Sequence, residues 1–213
     1  CLEQIIHNCH LAREHQQAMC QDTGIAVVYL YIGQDVHITG GSLADAVNEG
    51  VRQGYEDGYL RKSVVEEPLF ERMNTGDNTP AVMHMELVLG DQLRIMVVPK
   101  GAGSENMGAM KMLKPADGLE GAKQFILDTV RNAGGNPCPP IVVGIGVGGT
   151  MEKAPMLAKQ ALTREIGSRN PNPLYAKLEE KQKEIWNYGL SISDKGDIFS
   201  PYPVKGSQFP QPL

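Results

Sequence analysis

Apolar residues recur at three- and four-residue steps from the start of the chain, at Leu2, Ile5, Ile6, Cys9 and Ala12. That spacing predicts one amphipathic helix over residues 1–17, with Cys1 and Cys9 on its apolar face. The run from Ile25 to Ile32 is short, continuous and rich in β-branched and aromatic residues, which predicts a buried strand. The segment CQDTG at 20–24 is then the turn joining helix to strand. After Gly40-Gly41, the apolar positions Leu43, Val47, Val51 and Tyr55 predict a second helix. Residues 61–80 are polar and interrupted by Asn74, Gly76, Asn78 and Pro80, as in irregular structure. Val82–Leu89 and Leu93–Val98 are expected to pair with each other as a hairpin across Gly90-Asp91.

Lys100–Asn106 reads KGAGSEN, a Gly-rich loop directly after a strand, where sites are often built. Leu119, Ala122, Ile126, Val130 and Ala133 define a third helix stopped by Gly134-Gly135. The chain then passes through NPCPP into the run Ile141–Gly149. A fourth helix is expected over 152–166, and Leu174, Leu178 and Ile185 mark a fifth after Pro173. Beyond Trp186 the periodicity fades into a Pro-, Gly- and Ser-containing stretch, so residues 187–213 are expected to be a loose tail. No internal repeat or strong linker divides residues 1–186. The expected fold class is α/β, a single domain of mixed sheets with surrounding helices.

The 213 residues are 41% hydrophobic and 21% charged, an ordinary globular composition. A formal net charge of -5 leaves no global basic field, so neither nucleic acid nor an anionic membrane is an expected partner. The longest apolar run falls far short of the roughly 20 residues that cross a bilayer, and no signal peptide opens the chain. A soluble, cytoplasmic protein is expected. Cys1, Cys9, Cys20 and Cys138 are too sparse for a disulfide scaffold and form no CxxC pair for structural zinc. The chain opens on Cys1 and runs straight into a helical pattern, as expected of a piece of a longer protein.

Each candidate for chemistry has a structural reading beside it. Cys20 in CQDTG reads equally well as a thiol reaching a ligand and as part of a helix-exit turn whose Asp22 bonds nearby backbone N–H groups. Cys138 lies between Pro137 and Pro139-Pro140, which fix φ and remove backbone donors, so its thiol is offered from a stiff loop; a buried structural Cys is the alternative. Cys1 and Cys9 read as core residues of the first helix. GIGVGGT at 144–150 matches the Gly-x-Gly-x-x-Gly pattern of dinucleotide sites, but no second strand ending in an acid follows its helix. Tight packing against a helix N-terminus explains the same glycines. KGAGSEN is not a Walker A loop, although its N–H groups suit a carboxylate or phosphate. Arg61-Lys62 suits bidentate contact with a carboxylate or a solvated surface. His84 falls on the more polar face of its strand, and none of the five His residues is assigned to a metal.

CQDTG at 20–24, LRKS at 60–63, NTGDNTP at 74–80, KGAGSEN at 100–106 and NPCPPIVVGIGVGGT at 136–150 together resemble the iron-sulfur hydro-lyases of the class I fumarase and L-tartrate dehydratase group. The likeness is to the alpha-type chain, equivalent to the N-terminal region of single-chain class I fumarases, and covers residues 1 to about 186. It implies an iron-sulfur hydro-lyase alpha-type domain. It also implies a [4Fe-4S] cluster held by three cysteines, with one iron open to a small dicarboxylate substrate. Cys20 and Cys138 match two of the ligands. The third cysteine of the family lies further downstream, and this chain has none after Cys138. Gln21, Asp22, Arg61 and the Gly103 backbone match substrate-binding positions, and Asp22 is assigned a part in proton transfer. The expected reaction is hydration of fumarate to malate, or dehydration of tartrate. A beta-type subunit or C-terminal domain, in a homo-oligomer or alpha-beta assembly, is the expected partner.

Overall fold

The computed structural model describes residues 2–17, 23–138, 141–165 and 167–180. Cys1, Cys20, Gln21, Asp22 and the expected tail at 187–213 lie outside the described residues. The chain divides into two compact units, residues 1–106 and 107–213.

In the first unit, α1 (Leu2–Glu14) forms where the three- and four-residue period puts it. Its apolar face is open to solvent, with Ile5 54% and Ile6 49% exposed. Cys9 is exposed as well, so the expected core role of this cysteine is overturned. Periodicity reports which residues share a face, and burial requires a second surface against that face.

The core sits between β1 (Ile25–Gly33) and α2 (Leu43–Asp57). The Ser42 side chain caps α2 by accepting the Asp45 N–H, which satisfies one of the donors left over at a helix start. Alternate residues of β1, Ala26, Val28 and Leu30, pack with Val51 and Tyr55 of α2 and with Ala81. Burying Leu30, 1% exposed, contributes on the order of 1.5–3 kcal/mol. On the opposite face, His84 stacks on Tyr29 with ring centroids 5.0 Å apart, and Arg94 lies 4.1 Å over the Tyr31 ring.

The remaining strands, β2 (Val82–Val88) and β3 (Leu93–Lys100), do not pair with each other. The sheet order is β2-β1-β3, with β1 parallel to β2 and antiparallel to β3. The expected hairpin is therefore split by β1. The most continuously apolar strand takes the centre, where both faces are covered, and the less apolar pair takes the edges. Pro99, which has no N–H to give a ladder, lies on an edge strand, where proline is tolerated. The link from β2 to β3 must then straddle the end of β1. Gly33 N–H donates to the Gln92 carbonyl (2.9 Å), Gln34 N–H to Val88 (2.8 Å) and Asp35 N–H to Gly90 (3.1 Å). A Cβ on Gly33 would lie 2.3 Å from the Gly90 carbonyl oxygen, so only glycine lets this crossing close.

The first regular element of the second unit is a 3-10 turn at Pro115–Asp117, followed by a helix over Gly118–Ala133, which buries Ile126 and Ala133 and is ended by Gly134 at φ 54°. The stretch 141–147 is extended and belongs to no ladder. A helix over Lys153–Ala161 is shorter than the expected 152–166; the Thr163 hydroxyl donates back to the Gln160 carbonyl (2.7 Å) in the turn that closes it. Residues 173–180 are helical, with the Asn172 side chain accepting the Leu174 N–H (3.0 Å). Glu179 on that helix accepts from Arg164 (2.7 Å) and from the Asn170 N–H (3.0 Å). Ile185, expected on the same helix, lies outside the described residues. One small mixed sheet with helices agrees with the expected α/β class. Among the described residues no helix is long and apolar enough to cross a membrane.

Gly33→Ala is expected to lower stability by about 1–3 kcal/mol in urea unfolding, the range for forcing a methyl group into an occupied site. A neutral result would contradict the straddling link.

Candidate active site

The site is built around Gly24, the last residue of CQDTG. Its φ of +60° is disfavoured for residues bearing a Cβ, and a Cβ there would lie 2.0 Å from the Lys100 carbonyl oxygen and 2.9 Å from the Gly101 Cα. Gly24 is thereby pressed against the start of KGAGSEN. The Gly24 carbonyl accepts from the Nδ2 of Asn78 (2.9 Å) and, at 3.5 Å, from the Tyr55 hydroxyl.

Asn78 is fully buried, at 0% exposure. Its Oδ1 accepts the backbone N–H groups of Ser63 (2.6 Å) and Val64 (3.1 Å), so one amide side chain bonds both to Gly24 and to the end of LRKS. Its φ of +63° falls in the left-handed region that asparagine tolerates better than most residues. The flanking backbone is fixed in turn. Asn74 donates to the Lys62 carbonyl (3.0 Å), Thr75 N–H donates to Val64 (3.0 Å), and Val65 and Asn74 form an antiparallel bridge. Thr79 gives both its N–H (2.9 Å) and its hydroxyl (2.8 Å) to Asp77; these bonds, the backbone one foremost, hold that carboxyl below its ordinary value. Ala81 N–H donates to Asn48 of α2 (2.9 Å), anchoring the loop to the core.

Gly24, LRKS, NTGDNTP and the start of KGAGSEN thus meet at the end of the sheet where β1 begins and β3 finishes. Arg61 is exposed there, and its neighbour Lys62 is ion-paired with Glu56. KGAGSEN forms the single turn α3 (Ala102–Glu105). The Lys100 ammonium folds over it to reach Ser104 Oγ (2.5 Å) and Glu105 (3.6 Å). Gly103 is exposed in the first turn, whose amides have no acceptor within the helix. The hydroxyls of Thr23 and Ser63 are buried with no hydrogen-bond partner among the described residues. An open groove of about 480 Å³ between α2 and β3 is lined by Val47, Val51, Ile95 and Val97 among other apolar groups, and it offers nothing to orient a dianion.

In the second unit, Cys138 is exposed and has a φ of +60°. Its N–H donates to the Gly135 carbonyl (3.2 Å). The thiol is exposed, so the buried alternative does not hold, and Pro139-Pro140, on which the expectation of a stiff loop rests, lie outside the described residues. An accessible thiol is the right donor for an iron-sulfur cluster. Cys20 lies outside the described residues, among which no group of three His, Cys, Asp or Glu could hold a metal ion. GIGVGGT is explained by packing: a Cβ on Gly144 would lie 2.1 Å from the Ala158 carbonyl oxygen, and one on Gly146 2.0 Å from that of Ala154. These glycines admit the backbone of a helix. The residue that sequence reasoning did not single out is Asn78, which stands inside NTGDNTP among turn-forming residues before Pro80.

The profile of the fumarate hydratase (Fumerase) family matches residues 1–190. The chain belongs to the fumarate hydratase family. The reaction class of this family is that of the hydro-lyases. It is 46% identical, over 92% of its length and 70% of the relative's, to a Methanocaldococcus jannaschii protein provisionally named L(+)-tartrate dehydratase subunit alpha. It is 33% identical to the L(+)-tartrate dehydratase subunit alpha of Escherichia coli K12, over 89% of this chain and 62% of that one. The Shigella sonnei subunit of the same name matches to the same extent. This chain therefore spans less than two thirds of the length of those bacterial subunits.

Gly24→Ala is expected to lower stability by about 2–4 kcal/mol, combining left-handed strain with displacement of the Lys100 backbone. Loss of less than about 1 kcal/mol on chemical unfolding would contradict the close approach.

Proposed function

We propose that this chain is the alpha-type part of an iron-sulfur hydro-lyase that hydrates fumarate to malate or dehydrates L-tartrate to oxaloacetate. What supports the reading is the junction at Gly24 and Asn78, which brings the end of CQDTG together with the segments carrying Arg61 and Gly103. Both reactions use a small dicarboxylate and add or remove the elements of water across two neighbouring carbons, so one site chemistry serves either.

Arg61 binds a substrate carboxylate through its planar guanidinium. The Gly103 amide and the side chain of Gln21 hold the remainder of the dianion. Asp22 assists proton transfer, with the main base supplied from elsewhere. Cys20 and Cys138 are two ligands of a [4Fe-4S] cluster, the third cysteine belonging to the rest of the enzyme. When bound, the cluster supplies an open iron as Lewis acid for the substrate's carboxylate and hydroxyl. A beta-type subunit or C-terminal domain completes the site in a homo-oligomer or alpha-beta assembly. A reducing cytoplasm suits such a cluster, because thiolate ligands are open to oxidation.

The test is anaerobic reconstitution of the full-length protein with its partner, followed by parallel assays on fumarate and L-tartrate. Turnover of one or both is expected. Cys138→Ser should lower iron content and activity by more than about tenfold, the least that loss of even an outer-shell partner costs a metal site. A protein that takes up no iron and turns over neither substrate would overturn the reading.

A further inference from the structure

Asn78 bonds to three backbone groups, and they belong to the two segments that must be held in register for a dicarboxylate to be gripped. Its Nδ2 donates to the carbonyl of Gly24, which follows Asp22 by two residues; its Oδ1 accepts the N–H of Ser63, which follows Arg61 by two. The Val64 N–H adds a third bond to the same side chain. Full burial excludes competing water, and a planar amide fixes the separation of its donor and acceptor ends. Moving either end displaces one segment relative to the other.

We infer that Asn78 is a positioning residue: it sets the spacing between Gly24, which follows Gln21-Asp22 in the chain, and Ser63, which follows Arg61, and through them the fit of the substrate's carboxylate relative to its reacting carbons. The inference rests on the functional reading above. Asn78 itself is too deeply buried to touch substrate. Its effect is exerted through Gly24 and Ser63. Reactions that depend on held geometry lose about a hundredfold for a misplacement near 1 Å.

Two variants isolate the role in the full-length, iron-loaded enzyme. Asn78→Asp keeps the shape and the acceptor oxygen but replaces the donor that faces the Gly24 carbonyl. Tyr55→Phe removes the longer bond to the same carbonyl and leaves Asn78 untouched. With kinetics normalised to folded, iron-loaded protein, Asn78→Asp is expected to lower kcat/KM by about 10- to 100-fold, with KM raised and kcat reduced together. Tyr55→Phe should stay within about threefold of the wild type, as a bond at 3.5 Å is weak. An Asn78→Asp enzyme of normal kcat and KM, whatever its thermal stability, overturns the positioning role alone. Equal losses in both variants also overturn it, since they would reflect general loosening around Gly24. A wild-type protein inactive on both substrates overturns the functional reading and this role with it.

Discussion

The close approach of Gly24 to the Lys100 backbone organises the first unit. Because a side chain cannot occupy the space between them, Gly24, just before β1, and the end of β3 meet backbone to backbone. That leaves the Gly24 carbonyl aimed at the interior, where an unpaired acceptor would be costly. Asn78 and Tyr55 satisfy it. The amide of Asn78 then has an acceptor end to place, and the Ser63 and Val64 amides fill that need. One steric constraint thus propagates through a chain of hydrogen-bond obligations until four separated motifs share one location.

The core beneath explains why this location can be rigid. β1 is buried at its centre and packed on α2, while the loop from 74 to 80 is fastened to α2 by Asn48 and to the 62–66 segment by the Asn74 and Thr75 bonds. Polar residues in the loop spend their hydrogen bonds on backbone, so the loop is ordered without regular secondary structure. Function is carried by loops set on a stiff scaffold, the usual division of labour. The second unit uses the same device: Gly144 and Gly146 bring the extended stretch against a helix, and the preceding turn presents the Cys138 thiol.

Local patterns made most of the elements legible. The Ile25–Ile32 run, the Leu43–Tyr55 period and the Leu119–Ala133 period each mark an element that forms. Strand pairing was not legible, because Gly90-Asp91 between two apolar runs carries the local signature of a hairpin whichever strand lies between them. The insertion of β1 is a nonlocal outcome, traceable afterwards to Gly33. Cys9 shows the same limit, since its helical position was right and its burial wrong. For the site, motif order pointed to Arg61, Gly103 and Cys138 as candidates, whereas Asn78 looked like one more turn residue. Its importance lies in contacts made 54 and 15 residues away, which no short motif encodes.

The central proposal, that the Cys20 and Cys138 thiolates hold an iron-sulfur cluster and that Arg61 binds a substrate carboxylate, is tested most directly by X-ray anomalous scattering at the iron edge. The sample is crystals of the anaerobically reconstituted full-length enzyme soaked with substrate. The account predicts iron peaks within bonding distance of the Cys20 and Cys138 sulfurs, with a substrate carboxylate on Arg61. Iron bound elsewhere, or no iron signal in a protein that is nonetheless active, would contradict it.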